Sequence, residues 1–261
     1  MRLAVQYSTF TAESMGAFVT EHYDLNTVVS CKLFKQALSD LYLLEADNRY
    51  IFRVWRRGLE TSQLELRLSC AARVSKGCEF LNRVYPGNDG KFVQTLNAPE
   101  GKRTAALFEH ISGQSGTRQL SEVQAAQIGE ALAKLHSTSE HSSSNLPILD
   151  AEVLLEQPLE QILSFNRFST NLKDRLRGQA ARLRQKLSTL EPHLRRGYIH
   201  GDAHPVNVIF NEQKACFVDI DLFSVGWPAY DIGTFNWWVR SLENQSELYT
   251  AFITTYSEIS K

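Results

Sequence analysis

The sequence predicts an α/β (α+β) chain in which an antiparallel sheet with one inserted helix is followed by a mostly helical half. Two observations favour this fold class. Short runs of β-branched and large apolar residues, separated by turn residues, recur over residues 28–108. Beyond residue 113 the apolar residues are spaced as in helices, until two short apolar runs at 208–210 and 216–218 again resemble buried strands.

The first half is predicted to contain five strands and two helices. The segments are a helix at 11–23, strands at 28–34, 41–44 and 50–55, a helix at 61–73, and strands at 91–96 and 104–108. Turn residues separate consecutive strands at Asp47-Asn48 and at Pro99-Glu100-Gly101. We therefore expect a five-stranded antiparallel sheet with one inserted helix.

The second half is predicted to begin with a capped helix. Ser121 and Gln124 form a capping box, and apolar residues follow them at helical spacing. A polar loop is expected at 137–145. A long helix follows, with an apolar stripe from Leu172 to Leu190, and Pro192 ends it.

The change of character between the halves predicts two lobes. The segment 107–113 leaves the last strand and ends at a glycine, as a hinge would. We expect an N-terminal lobe of residues 1–110 and a C-terminal lobe of residues 111–261.

Composition and charge exclude several classes of protein. The 261 residues carry 43% apolar and 22% charged side chains, with a net charge of -1, so neither a nucleic-acid nor a membrane partner is expected. The four cysteines contain no CxxC pair, which argues against a zinc site or a disulfide framework. No signal peptide or membrane-spanning segment is apparent, so we expect a cytoplasmic protein.

Three polar residues near the predicted late strands indicate a magnesium–phosphate site. Asp202 precedes Asn207 by five positions, and Asp219 follows twelve later. Phosphoryl transfer requires a group that orients the nucleophile, and magnesium bound through hard oxygen ligands. Asp202 would be the catalytic residue, which orients a hydroxyl and accepts its proton late, and Asn207 and Asp219 would bind the metal. Taken singly, each residue could be a turn former; the spacing of the set favours the site.

A rival interpretation is a metal-dependent hydrolase. His200-x-Asp202-x-His204 has the spacing of a metal-ligand cluster. Such sites require further ligands, and the other histidines form no second constellation. The order of a sheet followed by helices also differs from alternating βα units. The phosphotransfer site is therefore the preferred hypothesis.

At these residues the chain resembles the aminoglycoside phosphotransferase-like family, which includes choline kinase and type II homoserine kinase. The matching segments are His200-Gly201-Asp202 through Asn207, Asp219 after its apolar run, Tyr230-Asp231-Ile232, and the weaker matches at 107–113 and 128–136. The resemblance implies a bilobal protein-kinase-like fold, the cofactors ATP and Mg²⁺, and a small-molecule hydroxyl as phosphate acceptor. It also implies that adenine lies against the backbone of Glu109 and Ile111.

The sequence departs from the family pattern where ATP phosphates would be bound. Arg53 stands where the family often has lysine. By the resemblance, Arg53 would pair with both Glu65 and phosphate. On sequence alone, an edge or solvent-facing position for Arg53 is equally open. Lys35 is a second candidate cation. The loop at 35–39 contains no glycine, so Ser39 would supply a hydroxyl or backbone donor instead.

Two further features leave alternatives open. Asp221 could assist a second magnesium or have a structural or solvated role. Phe235, Trp237 and Trp238 are interpreted as packing residues in preference to a cation cage.

The acceptor is less defined than the metal site. Only 21 residues follow Arg240, whereas family members usually have longer C-terminal segments, so an antibiotic-modifying role is not expected. Two alternatives to a small-molecule kinase are a non-catalytic nucleotide-binding module and an atypical protein Ser/Thr kinase. The sequence predicts neither the acceptor nor the oligomeric state.

Overall fold

The computed structural model describes residues 5–56, 60–138, 145–212 and 214–260. The helices are α1 (Ala12–His22), α2 (Thr61–Ser75), α3 (Glu122–Ser137), α4 (Gln157–Ser164), α5 (Thr170–Leu190), α6 (Pro228–Val239) and α7 (Gln245–Ile259). The strands are β1 (Ser30–Gln36), β2 (Ser39–Glu45), β3 (Arg49–Trp55), β4 (Val84–Tyr85), β5 (Gln94–Ala98), β6 (Gly101–Glu109), β7 (Gln114–Ser115), β8 (Ile148–Leu149), β9 (Gly197–Ile199), β10 (Val208–Phe210), β11 (Ala215–Phe217) and β12 (Ser224–Gly226). The polar loop predicted at 137–145 lies mostly outside the described residues.

The first half forms the predicted antiparallel sheet, with six strands in the described residues instead of five. The order is β1-β2-β3-β6-β4, and β5 pairs with β6. The predicted hairpin is formed by β5 and β6, with Ala98 opposite Gly101 across the turn. The additional strand, β4, has two residues and owes its conformation to pairing with β6. Two residues are too few for an alternating pattern in the sequence.

Helix α1 covers one face of this sheet. Its N-cap is Thr11, whose hydroxyl accepts from the Ser14 N–H. Met15 and Val19 are buried against a cluster that includes Tyr42 and Phe52. Met15 and Val19 lie four positions apart, so the helix places both on the face that packs on the sheet.

Helix α2 joins the sheet to the rest of the chain. Leu64 and Leu68 are buried in a core cluster that also contains Phe108 from β6 and Leu132 and Phe217 from the second half. One continuous hydrophobic core therefore links the sheet to the helical half. This architecture confirms the predicted fold class.

Helices α3 and α7 pack closely together in the helical half. The capping box predicted at α3 is present: the Gln124 N–H donates to Ser121 Oγ, and the Gln124 side chain accepts from the Ser121 N–H. Gly129 faces α7 so closely that a Cβ there would collide with the Phe252 carbonyl oxygen. Glycine at this position is what allows the two helix backbones to approach.

Helices α4 and α5 lie at the periphery. The sequence did not predict α4. Helix α5 ends, as predicted, just before Pro192, where a single 3₁₀ turn follows. Its predicted apolar stripe is largely uncovered: Ala180 is buried, whereas Leu183 and Leu190 are more than half exposed.

No helix in the described ranges is both long and apolar enough to span a bilayer.

Candidate functional site

A sharp turn at Gly201 presents Asp202 to solvent. Strand β9 leads into it, and Gly201 has φ +83, with no room for a Cβ beside the Leu222 carbonyl oxygen. The N–H groups of His200 and Gly201 both donate to the carboxylate of Asp231, at 2.7 and 2.9 Å. Asp231 is fully buried and lies at the start of α6. This fixed turn leaves the Asp202 side chain about 41% exposed.

Asp231 is in turn held by a hydrogen-bonded chain of two residues that the sequence did not predict for the site. His136, at the end of α3, places Nε2 3.1 Å from Asp231 Oδ2 and Nδ1 2.9 Å from the Tyr256 hydroxyl on α7. His136 could have been found from the sequence, because it is a polar residue on the apolar face of a helix. Tyr256 lies 120 residues further along the chain and carries no local signal.

Asp202 lies between an amide and an imidazole. Asn207 Nδ2 donates to Asp202 Oδ2 at 2.9 Å and to the Asp202 carbonyl oxygen at 3.1 Å. His204 Nε2 lies 3.4 Å from the same Oδ2. Hydrogen bonding from His204 lowers the pKa of the Asp202 carboxyl, although partial burial opposes the effect, and the pair raises the pKa of His204. Asp202 is thus a carboxylate, able to orient a hydroxyl and accept its proton.

Asp219 follows β11 and is held beside the same loop by two hydrogen bonds to the backbone of its neighbour Val218. The Val218 N–H donates to the Asn207 carbonyl oxygen at 2.9 Å, and His200 Nε2 donates to the Val218 carbonyl oxygen at 2.9 Å. Asp219 has φ +62, which is the only positive φ of a non-glycine residue in the described ranges. This left-handed conformation costs roughly 1 kcal/mol, and the structure maintains it at the residue expected to bind metal. The structure thus brings Asp202, Asn207 and Asp219 together.

An arginine from the sheet reaches the Asp219 loop. Arg53 Nη1 lies 2.8 Å from Asp219 Oδ1, and Arg53 Nη2 lies 2.9 Å from Asp221 Oδ2. Trp55, two residues along the same strand face, donates its indole N–H to Asp221 Oδ2 at 2.7 Å. Arg53 therefore lies at the site and not at a solvent-facing edge. Trp55 was missed by the sequence reasoning, because a tryptophan on a strand is usually a packing residue.

Of the three carboxylates Asp202, Asp219 and Asp221, Asp221 is the least solvated. Its side chain is 16% exposed, and its Oδ1 is buried without a hydrogen-bond partner in the described part of the chain. Burial raises the pKa of Asp221 to about 6; the neighbouring charge of Asp219 acts in the same direction, and Arg53 opposes it. The solvated role left open for Asp221 is therefore wrong.

The expected pair between Arg53 and Glu65 is not formed. Glu65 lies on α2, but its two carboxylate oxygens accept from the N–H groups of Phe92 and Val93, at 3.1 and 2.7 Å. These donors immediately precede β5, so Glu65 fixes the approach to that strand. The expectation failed because both backbone donors lie nearly thirty residues beyond Glu65 and give no sign of it in the sequence.

The other two phosphate-binding candidates differ in position. Ser39, at the start of β2, is buried and its Oγ accepts from Arg53 Nε at 3.1 Å. Lys35 lies exposed on β1, an edge strand, next to an irregularity in the pairing with β2. Ser39 therefore belongs to the cluster, whereas no contact in the described ranges connects Lys35 to it.

The candidate adenine-binding residues lie where the sheet ends. Glu109 is the last residue of β6, and its N–H donates to the Arg83 carbonyl oxygen at 3.0 Å. The N–H of Ile111, two residues later, has no backbone or side-chain acceptor in the described part of the chain. An N–H without an intramolecular acceptor at this position fits an adenine contact.

The donor set fits magnesium better than zinc. Asp219 offers carboxylate oxygens, and Asn207 offers its amide oxygen, since its amide nitrogen is engaged with Asp202. Both ring nitrogens of His200 are engaged: Nδ1 accepts from the Asp202 N–H at 3.3 Å, and Nε2 donates to Val218. Within the described ranges, no three His, Cys, Asp or Glu side chains form a metal-binding group. This arrangement gives no support to the hydrolase alternative.

The late aromatic residues do not form a cage. Phe235 is fully buried and stacks on Phe252 at a ring-centroid distance of 4.2 Å. Trp238 packs against the main core, whereas Trp237 is 60% exposed with Arg240 beside its ring. The packing interpretation thus agrees with the positions of Phe235 and Trp238, whereas the exposed Trp237 is not a core packing residue.

Comparison with known proteins identifies relatives along nearly the whole chain. The model of the phosphotransferase enzyme family matches residues 31–260. The uncharacterized protein sll1119 of Synechocystis sp. is 33% identical over an alignment of 241 residues that covers 88% of this chain and 65% of that protein. An uncharacterized protein of Deinococcus radiodurans is 27% identical over 261 residues, covering 97% of this chain and 75% of that one. The chain thus spans slightly less than two thirds of the Synechocystis relative.

Solved structures share the fold. A microcompartment-associated aminopropanol kinase superposes with a TM-score of 0.74 at 21% identity, over 95% of this chain and 81% of that one. An amicoumacin kinase, hAmiN, in complex with AMP-PNP, Ca²⁺ and Ami gives a TM-score of 0.70 at 15% identity, over 97% of this chain and 79% of that one. A choline kinase from Cryptosporidium parvum gives 0.66 at 13% identity, over 95% and 79%. At these identities the likeness establishes the kinase-like fold.

Proposed function

Because the chain belongs to the phosphotransferase enzyme family, we propose that it transfers the γ-phosphate of ATP to a hydroxyl group of a small molecule, in a magnesium-dependent reaction. The observation that carries the proposal is the joining of Asp202, Asn207 and Asp219 at one site. Asn207 donates to Asp202 through its side chain and accepts from the Val218 N–H through its carbonyl oxygen. The loop of Asp202 and the loop of Asp219 are therefore connected through Asn207.

Asp202 is proposed to act on the acceptor. Its lowered pKa keeps it ionised at neutral pH, so it accepts a hydrogen bond from the acceptor hydroxyl. The hydroxyl oxygen forms a bond to the γ-phosphorus, the bond from that phosphorus to the bridging oxygen of ADP breaks, and the hydroxyl proton passes to Asp202. Asn207 and Asp219 would hold magnesium, which neutralises charge on the phosphate oxygens.

The nucleotide is proposed to bind between the sheet and the helical half. Adenine would contact the backbone of Glu109 and Ile111, and Arg53 and Ser39 would face the phosphates, with Lys35 as a more distant cation. Nucleotide binding in this fold is supported by the AMP-PNP and Ca²⁺ present in the amicoumacin kinase structure. The lobes 1–110 and 111–261 and a cytoplasmic location belong to the same proposal.

The acceptor is proposed to be a small alcohol. The related folds named above include kinases of aminopropanol and choline, which are small hydroxylated amines. A screen of hydroxylated metabolites for ADP release, with magnesium and with EDTA, tests this. We expect magnesium-dependent release with at least one small alcohol.

A non-catalytic nucleotide-binding module is the second candidate, favoured by the ion pair between Arg53 and the metal-binding Asp219. Thermal-shift titration with ATP, with and without magnesium, distinguishes the two. Stabilisation by ATP that requires magnesium supports the enzyme. Binding indifferent to magnesium, with no ADP release for any acceptor, would support the module, and phosphate incorporation into protein would indicate a protein kinase.

A further inference from the structure

The contacts of Arg53 define how a cation from the sheet is held at the site. Its guanidinium donates through Nε to Ser39 Oγ at 3.1 Å, through Nη1 to Asp219 and through Nη2 to Asp221. The side chain is 12% exposed, and its guanidinium carbon lies 4.8 Å from the Trp55 ring centroid. All three nitrogens of the guanidinium are therefore directed by specific partners, which a lysine ammonium could not reproduce.

The two carboxylates that Arg53 contacts differ in how firmly they are held. Asp221 Oδ2 accepts both from Arg53 and from the Trp55 indole N–H, and its side chain is 16% exposed. The Asp219 side chain is 38% exposed. Asp221 is thus fixed from the sheet by two donors on one strand face, whereas Asp219 is open to a cation from solvent.

Helix α2 also holds the segment that follows Asp221. Arg67, which is buried, donates through Nη1 to Ser224 Oγ at 2.7 Å and to the Phe223 carbonyl oxygen at 3.1 Å. The arginine on β3 and the helix behind it are therefore coupled through the 221–224 segment. Glu65, on the same helix, is occupied by two backbone N–H groups of the β5 approach.

We propose that Asp221 is the positioning residue for Arg53, in the place that the family resemblance assigned to Glu65. Asp221 retains the guanidinium at Nη2, which leaves Nη1 and Asp219 to engage phosphate and metal. Trp55 orients the Asp221 carboxylate from the same strand. The inference rests on the proposed function, because Arg53 is taken to contact ATP phosphates.

The test compares Asp221→Asn with Glu65→Gln by calorimetric titration of magnesium–ATP. Asp221→Asn should weaken ATP binding about tenfold or more, which is the loss typical of a charge-assisted hydrogen bond. Glu65→Gln should lower the melting temperature, because two backbone donors lose a charged acceptor, and should weaken ATP binding less than Asp221→Asn does. In steady state, Asp221→Asn should raise the KM for ATP more than that for the acceptor.

A double-mutant cycle separates positioning from general destabilisation. If Asp221 acts through Arg53, the double variant Arg53→Gln/Asp221→Asn should bind ATP no more weakly than Arg53→Gln alone. Trp55→Phe should give a smaller loss in the same direction as Asp221→Asn. Asp174→Asn, on the exposed face of α5, is the matched control and should bind ATP as the wild type does.

Three results would overturn the inference. Additive losses in the cycle would show that Asp221 does not act through Arg53. A loss for Glu65→Gln equal to that for Asp221→Asn would return the role to Glu65. Absence of magnesium-dependent ATP binding by the wild type would contradict the proposed function together with the inference, and so differs from failure of the variants alone.

Discussion

At the scale of single residues, burial, hydrogen bonds and neighbouring charges set the pKa of each carboxylate of the site. Asp202 accepts from Asn207 and lies beside His204, and its pKa is lowered. Asp221, a few residues from Asp219 along the same loop, is buried and its pKa is raised. The surroundings thus shift the pKa values of two carboxylates of one site in opposite directions, in keeping with the different roles proposed for Asp202 and Asp221.

Tyr42 provides a prediction for stability at alkaline pH. The side chain is fully buried, its hydroxyl donates to the Phe10 carbonyl oxygen at 2.7 Å, and burial raises the pKa of Tyr42 to about 12. In the unfolded chain a tyrosine titrates near pH 10. The unfolded state therefore loses this proton first, so the contribution to stability is complete below about pH 10 and is lost as pH rises toward 12.

Tyr42→Phe should flatten this alkaline loss. The free energy of unfolding, measured in urea at several pH values above 9, should fall less steeply with pH in the variant than in the wild type. The variant should also be less stable at neutral pH, because Phe10 loses its hydrogen-bond donor. Equal slopes for the two proteins would contradict the assignment.

Whether a contact between two residues could be predicted from the sequence depended on how far apart they lie along the chain. Asp202, Asn207 and Asp219 lie within one short stretch, so their spacing predicted a shared site. The carboxylate partners of Arg53 lie 166 and 168 residues away, and nothing local relates them to Arg53. Glu65 was a closer candidate in the sequence, but its partners are backbone N–H groups, which every residue type but proline supplies.

At the scale of elements, the contact of α3 with α7 supports the turn at Gly201 through the buried chain of Tyr256, His136 and Asp231. Gly129 allows this contact, since a Cβ there would collide with the Phe252 carbonyl oxygen. Gly178, in the interior of α5, offers open space to a Cβ and is the matched control.

Replacing each glycine by alanine should have opposite effects. Gly129→Ala should destabilise the protein by about 1–3 kcal/mol, since the helices must separate. Gly178→Ala should stabilise it by about 0.5–1 kcal/mol, because alanine restricts the unfolded chain and favours the helix. Urea unfolding measures both. Stabilisation by Gly129→Ala would show that α3 and α7 are not in close backbone contact.

Elements with a clear period were predictable and short ones were not. Helices α2 and α3 and the β5–β6 hairpin follow from apolar spacing, caps and turn residues. Strands β8 and β12 pair through residues such as Ile148 and Val225, and each has two or three residues. Such strands are created by the tertiary contact itself, so the sequence alone contains no alternating pattern for them. The sequence also could not predict how much of α5 is buried, because that depends on which other elements pack against the helix.

At the scale of the whole molecule, one core joins the sheet to the helical half. The fold class was predictable because the order of a sheet followed by helices, with late polar residues beside short apolar runs, is distinctive. The acceptor was not, because pocket shape depends on how helices pack. The boundary between residues 110 and 111 stays a prediction.

The whole-molecule hypothesis is tested most directly by phosphate transfer in Asp202→Asn. With magnesium, ATP and an acceptor found by the screen, the wild type should form a phosphomonoester, followed by ³¹P nuclear magnetic resonance. The variant keeps the shape of the side chain but loses the proton acceptor, so turnover should fall by about 10²–10⁴-fold. Its affinity for magnesium–ATP, measured by calorimetry, should persist. Turnover by Asp202→Asn at the wild-type rate would contradict the assignment of Asp202 as the catalytic residue.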